Sequence, residues 1–244
     1  MSKKVTGVLL AAGMGLRLGD ITKEKPKALV EVAGEPLCFY ALRFLENCGV
    51  DKIIVVGGMA IEQLKEVISK FKNNVPITIL ENKNYQKGNL LSLMSALPRL
   101  FNSFLLVNTD HIYSRDIAEV VKNNLRNITA FVDYDRQLGD DDMKVKLADG
   151  QVKEMSKKLT DFDCGYVGMT YVDQEQLPMY LRAVQEVYKN NPDTAVVENV
   201  LAELAKNGMP PGTGDISGYG WLEVDFPDER IHAEKAIMAE PEFF

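Results

Sequence analysis

The sequence lacks the features that mark several classes of protein. Its three cysteines are widely spaced and form no CxxC pair, so we expect neither a zinc site nor a disulfide framework. No apolar run approaches the roughly 20 residues that a membrane-spanning helix needs. Residues 1–4, Met-Ser-Lys-Lys, lead into an apolar run that is too short for a signal peptide. We therefore expect a soluble, cytoplasmic protein with no membrane span.

Composition sets further limits. The 244 residues are 46% hydrophobic and 26% charged, which suits a folded chain with a sizeable core. The net charge of −7 gives the surface no general attraction for nucleic acid, so a local group of basic residues indicates local chemistry. Because the sequence also has no repeat, low-complexity segment or linker, we predict a single domain over residues 1–244.

Two common nucleotide-binding motifs are absent as well. A dinucleotide-binding fold needs a third glycine where Leu18 stands, and an acidic residue after the second strand, where the sequence has Val-Gly-Gly at 56–58. The P-loop pattern that ends in Gly-Lys-Ser/Thr does not occur. Any nucleotide site in this chain must therefore be built differently.

The loop after the first predicted strand carries the strongest signal. An apolar run ends in a loop that contains Gly13, Gly15 and Arg17 and continues to Lys25 and Lys27. Glycines let backbone N–H groups come close to an anion, and the basic side chains add positive charge. The pattern predicts a triphosphate site, with an ordinary glycine-rich turn as the alternative.

Apolar periodicity places alternating strands and helices in the first half, and a hairpin, two further strands and three helices in the second. Strands are predicted at 5–11, 52–56, 77–80, 104–107, 128–132, 144–148, 151–155, 166–172 and 220–224, and helices at 36–48, 61–71, 89–100, 114–125, 175–189, 194–206 and 228–238. Alternation of this kind produces a mostly parallel sheet with right-handed crossovers. The predicted fold class is α/β, with a Rossmann-like, mostly parallel mixed central sheet flanked by helices.

Acidic residues occur near the ends of two predicted strands. Asp110 comes directly after the fourth strand, at the sheet edge where ligands gather in open α/β folds. A carboxylate that faces several phosphates requires a cation, and Mg²⁺ takes one or two carboxylates plus phosphate oxygens. Glu223 or Asp225 is the candidate second carboxylate, although Asp225 equally fits a cap for the final helix. His111 fits either an orienting role or simple packing.

Two other segments suit contacts with substrates. Asn89 opens a predicted helix, and its side chain has both a donor and an acceptor, which suits a base edge and equally an N-cap. Lys157 and Lys158 follow the hairpin and suit the phosphate of a second substrate, with a solvated lysine pair as the default alternative.

Together these motifs resemble the nucleoside-triphosphate transferases, which include sugar-phosphate nucleotidylyltransferases and cytidylyltransferases. The resemblance covers nearly the whole chain and implies the nucleotide-diphospho-sugar transferase fold. Within that group the chain is most similar to CTP:inositol-1-phosphate cytidylyltransferases. This narrower likeness rests on three segments, Asn89-Leu-Leu-Ser92-Leu, Asp110-His-Ile-Tyr-Ser and Asp161-Phe-Asp-Cys164.

The resemblance implies a role for each matching residue. Arg17 binds the β- and γ-phosphates, Lys27 contacts the α-phosphate, and Asp110 and Asp225 hold Mg²⁺. The remaining assignments are Leu10, Ala11, Ala12, Gly13 and Gly15 against the nucleotide, Asn89 and Ser92 near the cytosine, and Lys157 and Glu198 on the acceptor. One departure is Leu16, which stands where the family has Ser or Thr, so a hydroxyl contact to phosphate is lost there.

The implied activity is transfer of CMP from CTP to 1L-myo-inositol-1-phosphate, which gives CDP-inositol and pyrophosphate for di-myo-inositol phosphate synthesis. Residues 1–135 are then the nucleotide-binding half and residues 136–244 the acceptor-binding half. The alternatives are a cytidylyltransferase for phosphocholine or another alcohol phosphate, a sugar-1-phosphate nucleotidylyltransferase, and a non-catalytic nucleotide-binding regulatory domain. In several organisms the cytidylyltransferase is fused to a membrane-embedded synthase, and we expect the free-standing form here. Composition indicates no oligomeric state.

Overall fold

The computed structural model describes residues 3–244, so Met1 and Ser2, which opened the argument about a signal peptide, lie outside the described residues. The strands are β1 (Val5–Ala11), β2 (Glu31–Val32), β3 (Glu35–Pro36), β4 (Lys52–Gly57), β5 (Ile77–Glu81), β6 (Ser103–Asn108), β7 (His111–Tyr113), β8 (Ile128–Asp133), β9 (Lys144–Ala148), β10 (Gln151–Ser156), β11 (Cys164–Val172), β12 (Gly212–Asp215) and β13 (Trp221–Glu223). The α-helices are α1 (Leu37–Asn47), α2 (Ile61–Ile68), α3 (Leu90–Ala96), α4 (Arg115–Asn123), α5 (Leu177–Asn190), α6 (Glu198–Lys206) and α7 (Pro227–Ala239).

The central sheet has the order β5-β4-β1-β6-β11-β8-β12-β10-β9. Its first four strands are parallel, because the chain passes from β1 to β4, β5 and β6 through the crossover helices α1, α2 and α3. β1 is buried along its whole length, and its side chains alternate between two apolar clusters on opposite faces of the sheet. The predicted α/β class with a mostly parallel, mixed central sheet is confirmed.

The direction of the chain changes at β11, which runs antiparallel to β6 on one side and to β8 on the other. β12 is parallel to β8, and the β9–β10 hairpin extends the sheet beyond it. A short antiparallel ribbon of β7 and β13 lies outside this sheet. Pairing within the ribbon fixes the positions of the residues that flank β7 and β13.

Several predicted boundaries change for local physical reasons. The loop after β1 contains two 3₁₀ segments, Leu16–Thr22 and Lys27–Leu29. The predicted helix 89–100 is α-helical only to Ala96 and continues as 3₁₀, since Pro98 has no N–H to continue the helical ladder. The predicted strand 220–224 belongs to the ribbon, and β12 forms in a glycine-containing segment for which no strand was predicted.

No helix among residues 3–244 is long and apolar enough to cross a membrane.

The three cysteines are free and buried, at Cys38, Cys48 and Cys164. Burial raises the pKa of the Cys38 and Cys164 thiols to about 12, so little thiolate is present at pH 8. We expect the native protein to react very slowly with a thiol reagent, and the denatured protein to titrate three thiols. Rapid reaction of the native protein at pH 8 would contradict the packing described here.

Candidate active site

The loop after β1 fixes the position of one lysine. Lys27 donates its backbone N–H to the carbonyl of Gly13 at 3.3 Å. Gly15 has a positive φ of 67°, and a Cβ at this position would lie 3.0 Å from the Cβ of Lys27. Its carbonyl accepts a hydrogen bond from Thr22 Oγ1 at 2.8 Å. Only glycine fits this conformation and this close approach, so the loop holds Lys27 against the end of β1.

The β7–β13 ribbon brings the two predicted metal carboxylates together. It pairs His111 with Glu223, and Val224 donates its N–H to the carbonyl of Asp110 at 2.9 Å. Asp110 and Asp225 therefore flank the same end of the ribbon. Asp225 does not cap the last helix.

Two cations and two carboxylates meet at this point. Lys27 Nζ lies 3.0 Å from Asp110 Oδ2 and also contacts Asp225 Oδ1. Arg17 lies 2.7 Å from Asp225 Oδ2 and 3.3 Å from Asp141 Oδ2. Burial alone would lower the pKa of Lys27, but the two carboxylates raise it overall, so its side chain, which is only 6% exposed, stays charged. With Asp141 the cluster contains three carboxylates and two cations, and all of its members except Lys27 line one cleft.

The donor set fits Mg²⁺. Asp110 and Asp225 already share one cation, the Lys27 ammonium, so their oxygens are close enough to be bridged. Within residues 3–244 no group of three or more His, Cys, Asp and Glu could hold a metal. A magnesium ion here would need further oxygens from a ligand, and Mg²⁺ in proteins characteristically combines one or two carboxylates with phosphate oxygens.

A cavity of about 200 Å³ adjoins this cluster. The structure places these predicted site residues in its lining: Arg17, Asn89, Asp110, Lys157, Glu198 and Asp225. The other predicted residues lie outside the lining: Leu10, Ala11, Ala12, Gly13, Gly15, Lys27 and Ser92. Leu10, Ala11 and Ala12 are buried at the end of β1, where they support the loop.

Asn89 and Ser92, both predicted near the base, differ in position. Asn89 lines the cavity, and its side-chain oxygen accepts the N–H of Val197 at 2.9 Å rather than capping α3. Ser92 is 2% exposed, and its hydroxyl accepts a hydrogen bond from Asn82 at 3.0 Å. Asn89 therefore links the start of α3 to the segment that precedes α6. Ser92 links α3 to Asn82, which follows β5, and does not line the cavity.

The two predicted acceptor residues, Lys157 and Glu198, both line the cavity. Glu198 is the first residue of α6, and burial raises its pKa, although the nearby positive charge of Lys157 opposes that rise. Lys157 lines the cavity and Lys158 does not. The geometry favours Lys157 for contact with a second substrate.

His111 packs against Trp221 and also contacts the carboxylate of Asp110. Its Nδ1 lies 2.6 Å from Asp110 Oδ1, and its ring stacks on Trp221 at 5.3 Å between centroids with planes 12° apart. Gly168, with φ of 70°, leaves the space that the imidazole fills. Asp110 thus has one oxygen on His111 and the other on Lys27.

Two residues in or beside this site escaped the sequence reasoning. Asn108 ends β6 and presents to the cavity a buried side-chain oxygen with no hydrogen-bond partner. Its place two residues before Asp110, directly after the predicted strand 104–107, was the available signal. Arg136, in the loop after β8, contacts Glu223 at 2.8 Å, and nothing in its local sequence indicated this.

The family follows from a match that begins near the start of β1 and continues past β8. Residues 7–140, which are more than half of the chain, match the model of the MobA-like NTP transferase domain. The chain belongs to this family. The match contains the glycine loop, Asp110 and the strands that position them.

Known relatives and structures extend the likeness over the rest of the chain. A bifunctional IPC transferase and DIPP synthase of Aquifex aeolicus is 30% identical over 237 residues, which cover 96% of this chain and 52% of that protein. The chain spans about half the length of the curated relatives in this group.

Two solved structures show the nucleotide-diphospho-sugar transferase fold. The inositol-1-phosphate CTP transferase from T. maritima superposes with a TM-score of 0.82 at 18% identity and covers 98% of both chains. The CTP:phosphocholine cytidylyltransferase from Streptococcus pneumoniae gives 0.79 at 23% identity, with 96% of this chain and 99% of that chain covered. Both confirm the predicted fold.

Proposed function

We propose that this chain is a cytidylyltransferase that transfers CMP from CTP to inositol-1-phosphate and releases pyrophosphate. The observation that carries the proposal is the Lys27 ammonium shared by Asp110 and Asp225, with Arg17 paired to Asp225. Two carboxylates and two cations at one cleft suit a triphosphate bound with a metal ion. Two likenesses support the choice of acceptor: the IPC transferase and DIPP synthase of Aquifex aeolicus, which matches 96% of this chain, and the inositol-1-phosphate CTP transferase from T. maritima, which has the same fold.

In the proposed reaction, an oxygen of the acceptor phosphate attacks the α-phosphorus of CTP. A new P–O bond forms, the bond to the β-phosphate oxygen breaks, and pyrophosphate leaves with that electron pair. A phosphate monoester is already anionic near neutral pH, so no general base is needed. The main difficulty is to bring two polyanions together, which makes positioning and charge neutralisation the dominant contributions.

The residues divide this work by position. Arg17 leaves its two carboxylate partners for the β- and γ-phosphates, and Lys27 neutralises charge that develops on the α-phosphate. Lys157 holds the acceptor phosphate, and Asn89 lies on the side of the cytosine. Asp110 and Asp225 would hold Mg²⁺, which would supply neutralisation of the negative charge on the phosphates.

Pyrophosphate release with each of the four NTPs, combined with inositol-1-phosphate, phosphocholine and glucose-1-phosphate, tests the proposal. We expect release with CTP and inositol-1-phosphate. Release with UTP or dTTP and glucose-1-phosphate alone would instead establish a sugar nucleotidylyltransferase. If the protein binds CTP but releases no pyrophosphate with any acceptor, the proposed activity is wrong, and the result favours the alternative of a non-catalytic nucleotide-binding regulatory domain.

Replacing Lys157 with Ala is expected to raise the Michaelis constant for the acceptor by about 10- to 100-fold, the value of one charge-assisted hydrogen bond. The Michaelis constant for CTP should stay within a factor of about two, because the lysine faces the second substrate. Steady-state kinetics measure both constants, and Lys158→Ala is the matched control, since that side chain does not line the cavity. If the Michaelis constant for the acceptor rises in Lys158→Ala and not in Lys157→Ala, Lys158 is the residue that holds the acceptor phosphate.

A further inference from the structure

A second and larger cavity adjoins the candidate active site. It encloses about 570 Å³, against about 200 Å³ for the site itself. Trp221 and Glu223 line both cavities, so these two side chains form the wall between them. Binding sites for small molecules commonly occupy about 300 to 1,000 Å³, so the smaller cavity alone does not hold a nucleotide and an acceptor together.

Arg136 packs against this wall on the side of the larger cavity. Its guanidinium carbon lies 4.2 Å from the centre of the Trp221 ring, and Nη2 lies 2.8 Å from Glu223 Oε2 and 3.7 Å from Asp142 Oδ1. All three partners line the candidate active site, whereas Arg136 itself lines only the larger cavity. It therefore acts on the site through its neighbours.

The indole that Arg136 covers is held firmly. Trp221 donates its Nε1–H to Asp133 Oδ2 at 2.7 Å, and His111 stacks on the same ring system. An aromatic ring beside a carboxylate is a good site for a quaternary ammonium, because the cation is attracted to both. Here Arg136 already covers the ring of Trp221 and neutralises Glu223.

We propose that Arg136 is a positioning residue that sets the acceptor class: by covering Trp221 and pairing with Glu223, it excludes acceptors that carry a quaternary ammonium and leaves the site to uncharged polyols. An uncharged polyol needs no cation site and takes hydrogen bonds from the same charged groups. The inference rests on the proposed function, since it concerns the alcohol part of the acceptor.

The first test compares acceptors. In Arg136→Ala we expect kcat/KM for phosphocholine to rise about 10-fold and kcat/KM for inositol-1-phosphate to fall, while the Michaelis constant for CTP is unchanged. Arg136→Lys keeps a charge beside Glu223 and should keep phosphocholine a poor acceptor. If Arg136→Ala does not fold, Arg136→Gln removes the charge with less loss of packing and carries the same expectation.

The second test measures binding without turnover. Trp221 is the only tryptophan, so intrinsic tryptophan fluorescence reports directly on this wall. We expect choline chloride to change the fluorescence of Arg136→Ala with saturation, and to leave that of the natural protein unchanged. Arg43→Ala is the matched control: Arg43 lies 5.0 Å from the Tyr40 ring and pairs with Glu35, away from the site.

The outcomes separate the two proposals. If the natural protein turns over no acceptor, the proposed function fails, and the choline titration still decides the role of Arg136. If the natural protein uses inositol-1-phosphate, and a folded Arg136→Ala keeps the same ratio of acceptors with no response to choline, the inference about Arg136 is overturned and the proposed function stands.

Discussion

Replacing Asp110 with Asn is expected to lower kcat by about 10³-fold, which is the scale for losing one charged group that stabilises the transition state. Burial alone would raise the pKa of Asp110, but Lys27 and His111 lower it well below its usual range, so this group is a full carboxylate at neutral pH. The amide keeps the size of the side chain and removes the charge. A cation shared with Asp225 would then lose half of its charged protein ligands.

The fold should survive this change, since Lys27 keeps its contact with Asp225 and the backbone carbonyl of Asp110 still accepts the N–H of Val224. Circular dichroism and the thermal midpoint check this point. Asp141→Asn is the control, because Asp141 also pairs with Arg17 but its side chain is 69% exposed. Near-normal turnover of Asp110→Asn at saturating Mg²⁺ would remove Asp110 as a metal ligand.

The sequence predicted the first half of the fold well, because local patterns determine it. In β1, β4 and β6 nearly continuous apolar runs fit strands that are buried on both faces, and these strands alternate with amphipathic helices. The resemblance to the nucleotidyltransferase superfamily is confirmed by the family match, and the fold by the solved structures. The division into two halves stays a prediction.

Non-local pairing explains what the sequence could not supply. β12 is short and glycine-rich, and it becomes a strand only because β8 offers a parallel edge. The β7–β13 ribbon joins segments about 110 residues apart in the sequence. Local periodicity cannot predict which residues of two such distant segments pair. The residues alone left Glu223 and Asp225 as alternatives, and the family likeness selected Asp225, whose contact with Lys27 depends on the ribbon.

The same contrast between local pattern and non-local pairing applies to individual site residues. Asp110 was found from its position after a strand, since ligands in α/β folds gather at that edge. Arg136 gave no signal, because its contacts are with Trp221 and Glu223, which come from a distant part of the chain. Asp163 belonged to a segment of the family likeness, yet it accepts the N–H of Leu147 and braces the β9–β10 hairpin outside the cavity lining.

Replacing Gly168 with Ala is expected to damage catalysis more than stability. Gly168 has φ of 70°, and a Cβ at this position would lie 2.8 Å from His111 Cε1. The imidazole cannot retreat freely, because it stacks on Trp221 and bonds to Asp110. The methyl group must therefore displace His111, and Asp110 with it.

Gly150→Ala separates this displacement from backbone strain. Gly150 has φ of 72° in the β9–β10 turn, and a Cβ there meets nothing within 4 Å. Both variants should lose about 1 kcal/mol or more from an alanine at positive φ, which corresponds to a fall of about 2–4 °C in the thermal midpoint for a chain of this size. Only Gly168→Ala should also lose turnover, by about 10-fold or more, since a misplaced catalytic group is costly even at a displacement near 1 Å. Equal turnover in the two folded variants would show that His111 only packs, and that Asp110 keeps its position without it.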